Sequence, residues 1–244
     1  MIPAATDPAG LAGLAAASPE TLALVMLKSD PHAWRLDRAT QLAAVGDALL
    51  EGTTAARALR GRLPGRSPQE ITETLEVPIE TIDDDPMIGP LWRFAEYRER
   101  PARILLYARG LAPLERVVTG ELAGRLLGRA TPRDVFIAHE LFHHLEAIRA
   151  DTPVAQRYRP TLFRIGGWHW RTGIAALSEI AAGAFAQELL GLPCHPRVLD
   201  LVARKTLSPN ASAARTAAGQ ADLSRGRLCP YNKAMTKQGG RTPG

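Results

Sequence analysis

Apolar and polar positions follow two periods along this chain, one suited to helices and one to short strands. Ser18-Pro19-Glu20 is a helix-start signal, and Leu22, Leu24, Val25 and Leu27 follow it. A second helix is predicted over about 36–50, with Leu42, Ala43, Val45, Leu49 and Leu50 as its apolar residues. Gly and Pro then crowd into Arg60-Gly-Arg-Leu-Pro-Gly-Arg66, a candidate boundary. Ser67, Pro68 and Glu70 give an N-cap, a proline at the first helical position and a capping box, which predicts a short helix to about Leu75. Arg103-Ile-Leu-Leu-Tyr107 has the β-branched and aromatic character of a strand. The stretch 111–127 is ambiguous, with helix favoured for 121–127.

Two long helices are predicted further on. One begins at Thr131-Pro-Arg-Asp134, where threonine is the cap, proline takes the first position and aspartate closes a capping box. Val135, Ala138, Phe142, Leu145 and Ile148 then recur at helical spacing and give a core-facing stripe. The other is Ala175-Ala-Leu-Ser-Glu-Ile-Ala-Ala-Gly-Ala-Phe-Ala-Gln-Glu-Leu-Leu190. Together these elements predict a mainly helical α+β protein with a small sheet. They divide into an N-terminal helical region (1–62), a central domain (63–200) and a tail (201–244) without apolar periodicity, expected to be disordered.

Charge changes this picture only at the tail. The 244 residues carry a formal net charge of +5. From Arg204 onward there are eight bases against the single acid Asp222, a net +7, so the first 203 residues stand at −2. The basicity is local, and nucleic acid is not expected as the primary partner. Hydrophobic residues at 45% suffice for a core. Two distant cysteines, Cys194 and Cys229, imply no disulfide framework and fit a reducing compartment. The apolar run 11–17 is too short to span a bilayer and no later segment reaches about 18 apolar residues, so a cytoplasmic protein without a membrane partner is expected.

The chemistry lies in the helix after Thr131. His139 and His143 are four residues apart, which puts two imidazoles on one helix face, a turn apart, able to share one ion. Glu140 points about 100° round the helix, where it can hold a water on that ion rather than ligate it. His144 is expected to face away, at the surface or behind a ligand. A catalytic zinc takes three protein ligands and leaves a position for water. Glu146, His169, Glu179, Glu188 and His195 are the candidates for the third. Glu179 is favoured because Ala182, Gly183 and Ala186 share its face and would let the two helices approach closely. Glu146 can orient a ligand from behind, and His169, between Trp168 and Trp170, is a candidate for stabilising an oxyanion.

Ala138-His-Glu-Leu-Phe-His143, followed by Glu179-x-x-Ala182-x-x-Phe185-Ala186-x-x-Leu189-Leu190-x-x-Pro193, resembles the ImmA/IrrE metallopeptidase family. The stretch 70–80 is also similar to that family's opening helix and strand, so the likeness covers roughly 68–195. Phe142 stands where the family has glycine, and about 35 residues separate His143 from Glu179. The resemblance implies a zincin-like fold, His139, His143 and Glu179 as zinc ligands, Glu140 as the base, and a substrate that is a peptide or a regulatory protein.

Two functional readings follow. In the first, a metal-activated water hydrolyses a peptide bond with Glu140 as general base, and the strand at 104–107 lines the cleft and pairs with an extended substrate. In the second, the protein is a non-catalytic, DNA-associated or toxin–antitoxin-type regulator with a structural or vestigial metal site, and 68–80 belong to a helix-turn-helix. The acids Glu70, Glu73 and Glu76 make that segment a poor surface for phosphates.

Overall fold

The computed structural model describes residues 16–89 and 91–204, which lie within one compact unit. Its first helix, α1, runs Pro19–Lys28, with the Ser18 side chain accepting from the Thr21 N–H. Helix α2 runs Arg38–Arg62 from the Asp37 cap, twelve residues beyond the predicted end at Leu50. Its later turns bury Gly52, Ala56 and Leu59, small or isolated apolar residues that leave a weak periodic signal. Helix α3, Pro68–Thr74, carries the predicted capping box.

A three-stranded sheet follows, built from β1 (Ile79–Ile82), β4 (Ala95–Glu99) and β5 (Ala102–Tyr107) in the order β1-β5-β4. Strand β5 is central, parallel to β1 (Ile79 opposite Ile104) and antiparallel to β4 (Ala95 opposite Leu106). The short strands β2 (Met87–Ile88) and β3 (Leu91–Trp92) form a separate antiparallel pair. Helices α4 (Ala108–Val117) and α5 (Gly120–Leu127) then lead to α6, Pro132–Ile148, with Thr131 and Asp134 in a complete capping box. After the single turn α7 (Val154–Arg157) comes a hairpin of β6 (Thr161–Ile165) and β7 (Trp168–Arg171). Helix α8, Ala175–Leu190, ends at Gly191 in the left-handed region, φ 62°, as a helix terminus favours. Residues 197–204 are again helical.

Helix α8 is the hub. Every residue from Ile180 to Ala186 is buried, because α2 packs along one side and α6 along another. The α2 contact is backbone on backbone: a Cβ on Gly52 would lie 2.0 Å from the Ala181 carbonyl oxygen. No residue of its own caps α8; the Asp30 carboxylate, from the loop after α1, accepts from the Ala176 N–H at 3.2 Å.

Five expectations are corrected. The Arg60–Arg66 stretch ends a helix but separates no domain, since α2 shares one core with α6 and α8. Residues 201–204 belong to the folded body, with Val202 and Ala203 buried; the rest of the expected disordered tail lies outside the described residues, as does Cys229. The segment 68–80 is a helix followed by a strand, so it supplies no second helix to enter a groove. Strand β5 is paired on both edges and has none left for a substrate; the edge strands are β1 and β4, and β4 is the one beside α6. The stripe on α6 is also broader than predicted, since Ile137 and Leu141 are buried while Ile148 is exposed.

Candidate metal centre

Helix α6 presents His139, Glu140 and His143 on successive parts of one surface, held between α8 on one side and the edge strand β4 on the other. Helix α8 brings Glu179 to the two histidines. His139 Nε2 lies 3.2 Å from Glu179 Oε2, His143 Nε2 lies 3.3 Å from His139 Nε2, and His143 Nε2 lies 3.5 Å from Glu179 Oε1. An ion held tetrahedrally by bonds of about 2.0–2.1 Å separates its donor atoms by about 3.3–3.4 Å, the tetrahedral edge. The three contacts bracket that value. Two imidazoles and a carboxylate are also a donor set suited to a borderline divalent metal. His139, His143 and Glu179 therefore form a group able to hold one metal ion.

Most polar atoms around this group have defined partners; Glu146 Oε1 and His195 Nε2 have none among the described residues. Glu140 is buried, and its Oε2 accepts from the backbone N–H of Tyr97 on β4 at 2.7 Å. Burial raises the Glu140 pKa, against the lowering pull of the His139 and His143 charges and of the Tyr97 N–H. Burial alone would lower the His139 pKa; the hydrogen bond and charge of Glu179, with the charge of Glu140, lift it to about 9. Burial would raise Glu179, yet hydrogen bonding and charge from His139, with His143 and Arg197, bring it down to about 2. A divalent ion bound to these donors would compete with the proton that the Glu179 contact favours on His139.

Behind His143, the Ser178 hydroxyl lies 3.3 Å from Nδ1 and donates to Glu146 Oε2 at 2.5 Å, so Glu146 sits where it can fix the ring through Ser178. Ser178 escapes sequence reasoning, since only the crossing of α6 and α8 brings it to the ring. His144 faces away from the triad as expected, but it is buried rather than at the surface: its Nδ1 meets the Tyr97 hydroxyl at 3.1 Å.

His169 is not brought to the site. It lies in the exposed hairpin on β7, and no hairpin residue lines the cavity at the triad. The histidine that does line it is His195, only 1% exposed. Its Nδ1 accepts from the Arg197 N–H at 3.1 Å, which leaves the proton on Nε2, a buried nitrogen with no hydrogen-bond partner among the described residues. Burial lowers the His195 pKa to about 4, helped by the charges of His139 and Arg197, so the ring stays neutral. Gly183 makes room for it: a Cβ there would sit 2.5 Å from His195 Cε1. This corrects the role expected of Gly183, which admits a ring from the next segment rather than the metal helix. Glu188 is also remote from the triad, bound to Arg57 and Arg60 of α2.

The triad opens into a cavity of about 430 Å³, walled by Phe94 and Ala95 of the β3–β4 segment, His195, Arg197 and Asp200. Burial raises the Asp200 pKa against the pull of Arg197, whose Nη1 lies 2.7 Å from Asp200 Oδ2. Tyr97 turns its N–H away from β5 towards Glu140, so Ala95, two residues earlier, directs its backbone groups to the same outer side. The arrangement offers a metal position, a buried carboxylate beside it and an unpaired strand edge along one wall. No protein-family model, curated protein or solved structure matches this chain.

Proposed function

We propose that this protein is a zinc-dependent peptidase with a zincin-like active site on α6 and α8. The observation that carries the reading is the set of donor separations, 3.2, 3.3 and 3.5 Å, among His139, His143 and Glu179. A zinc ion there would supply a Lewis acid and a water of lowered pKa. Glu140 is the general base: burial raises its pKa, which makes the carboxylate a stronger acceptor for the proton of a metal-bound water and leaves it able to pass that proton to a leaving amine. The outer edge of β4 at Ala95 binds the substrate as an added strand, through backbone hydrogen bonds that are indifferent to side chains. An extended peptide or an unfolded segment of a protein is the substrate class this edge suits. His195, not His169, lines the cavity at the triad, and its unpartnered ring N–H is the candidate for stabilising charge on the scissile carbonyl.

The test pairs metal analysis with a peptide-library cleavage assay. Wild-type protein is expected to bind one zinc per chain and to cleave. Glu140→Gln is expected to keep the zinc and lose at least about 10²-fold in turnover. A Glu140→Gln variant that cleaves like wild type would remove Glu140 from this role, and protein unable to take up any divalent ion would end the reading.

A further inference from the structure

The β6–β7 hairpin is built in a way that the core does not explain. Its two strands meet at Gly166-Gly167, with Ile165 opposite Trp168 and Phe163 opposite Trp170. Gly166 has φ 56°, the left-handed conformation that a two-residue hairpin turn requires. Side chains alternate across a strand, so Phe163, Ile165, Trp168 and Trp170 share one face, while Arg164 and His169 share the other. The apolar face is bare: the four residues are 50%, 69%, 84% and 54% exposed. Phe163 and Trp170 stack on each other, 5.7 Å between centroids, with no other ring contact among the described residues.

The charge around this face has one sign. From 152 to 178 the chain has no acid, and it carries Arg157, Arg159, Arg164 and Arg171. Arg157 is taken by Glu51, whereas Arg159, Arg164 and Arg171 have no acidic partner among the described residues. A tip of two indoles and an isoleucine, backed by arginines, matches the boundary of a bilayer, where indole rings settle at the headgroup level and arginine meets phosphate. A protein groove fits less well. The exposed apolar area is on the order of 500 Å², below the roughly 800 Å² that each partner contributes to a stable protein interface. A lipid surface needs no such complementarity, and a hairpin of about 17 Å reaches the 5–10 Å depth of interfacial insertion.

We infer that the β6–β7 hairpin is a peripheral membrane-docking element that inserts Ile165, Trp168 and Trp170 into the interface of an anionic phospholipid bilayer. This revises the expectation of no membrane partner without requiring a span; no helix among the described residues is long and apolar enough to cross one. It does not depend on the metal site, and Glu140→Gln protein serves equally well as the probe.

The test is flotation of the full chain with vesicles of phosphatidylcholine alone and with 30% (about one lipid in three) phosphatidylglycerol, combined with quenching of tryptophan emission by brominated acyl chains. The basic stretch after Arg204 can also attract anionic vesicles, but it contains no tryptophan. Expected results are at least about 10-fold stronger binding to the anionic vesicles, quenching that is lost in Trp168→Phe/Trp170→Phe, and binding cut by about 10-fold or more in Ile165→Ala/Trp168→Ala/Trp170→Ala. Unquenched wild-type emission, or undiminished binding by the triple variant, would overturn the inference by assigning the contact to the basic stretch. Concentration-dependent dimerisation abolished by the triple variant, with no vesicle binding, would overturn it in favour of a second copy of the chain.

Discussion

The metal centre and the β6–β7 hairpin both invert the usual distribution of side chains, in opposite directions. At the centre, polar groups are inside: Glu140, His144 and His195 are buried among α6, β4 and the 194–200 segment. On the hairpin, apolar groups are outside, with Trp168 84% exposed. A buried polar group costs several kcal/mol unless it is bonded, so Ser178 backs His143 and Tyr97 holds Glu140, and the unpartnered Nε2 of His195 stands out against them. An exposed indole costs far less, and the hairpin is correspondingly unsupported, anchored at its base by Arg35 donating to the Thr161 carbonyl. The lesson is directional. Substitutions at the centre propagate through partners, while substitutions at the hairpin tip stay local.

The largest effect that would sharpen this contrast is loss of the third donor. Glu179→Ala leaves two imidazoles and removes the carboxylate that holds the proton on His139. We expect metal affinity to fall by at least about 10³-fold, measured by competition with a chromophoric chelator. The fold should persist, because the Glu179 side chain is half-exposed. Retention of full affinity would move the site elsewhere and dissolve the comparison at its inner end.

The next effect belongs to the packing that brings Glu179 to α6. Gly52→Ala on α2 places a methyl group 2.0 Å from the Ala181 carbonyl oxygen and 2.8 Å from the Phe185 nitrogen, both of them backbone atoms that cannot swing away. The helices must separate, at a cost of about 3 kcal/mol or more, read as a lowered urea midpoint. Metal affinity should fall with it, since α8 would carry Glu179 away from the histidines. An unchanged midpoint would show that α2 and α8 lie further apart than described.

What the sequence discloses follows the same division. Helix α6 writes its own start in Thr131, Pro132 and Asp134 and its chemistry in His139, Glu140 and His143, so a local reading suffices. Glu179 is legible because α8 keeps Ala182 and Ala186 on the same side. Its cap is not, since Asp30 reaches the Ala176 N–H across 146 positions. Long-range contacts of that kind leave no local pattern. The same reason explains Ser178, which meets Glu146 only where two helices cross, and His195, whose place over Gly183 depends on the chain turning back after Gly191. Strand β4 carries little signal of its own, since Ala95-Glu-Tyr-Arg-Glu99 is short and mostly charged; it is a strand because β5 pairs with it. His169 is a candidate for the oxyanion by its place between Trp168 and Trp170, but that run is the bare arm of a hairpin and does not line the cavity at the triad.

The smallest expected effect lies at that arm's tip. Trp168→Ala removes the largest side-chain type from a position where it is 84% exposed and makes no ring contact of its own among those described. Tryptophan-to-alanine changes in a core cost about 3–5 kcal/mol; here the urea-derived stability should move by no more than about 0.5 kcal/mol, with metal affinity unchanged. A loss of 2 kcal/mol or more, well beyond that ~0.5 kcal/mol bound, would mean that Trp168 packs against the body in solution. The hairpin would then be a part of the core closed over its own apolar face. Near-neutrality would leave the four exposed side chains without a folding role, which is the condition under which a binding role is the physical reason for keeping them there.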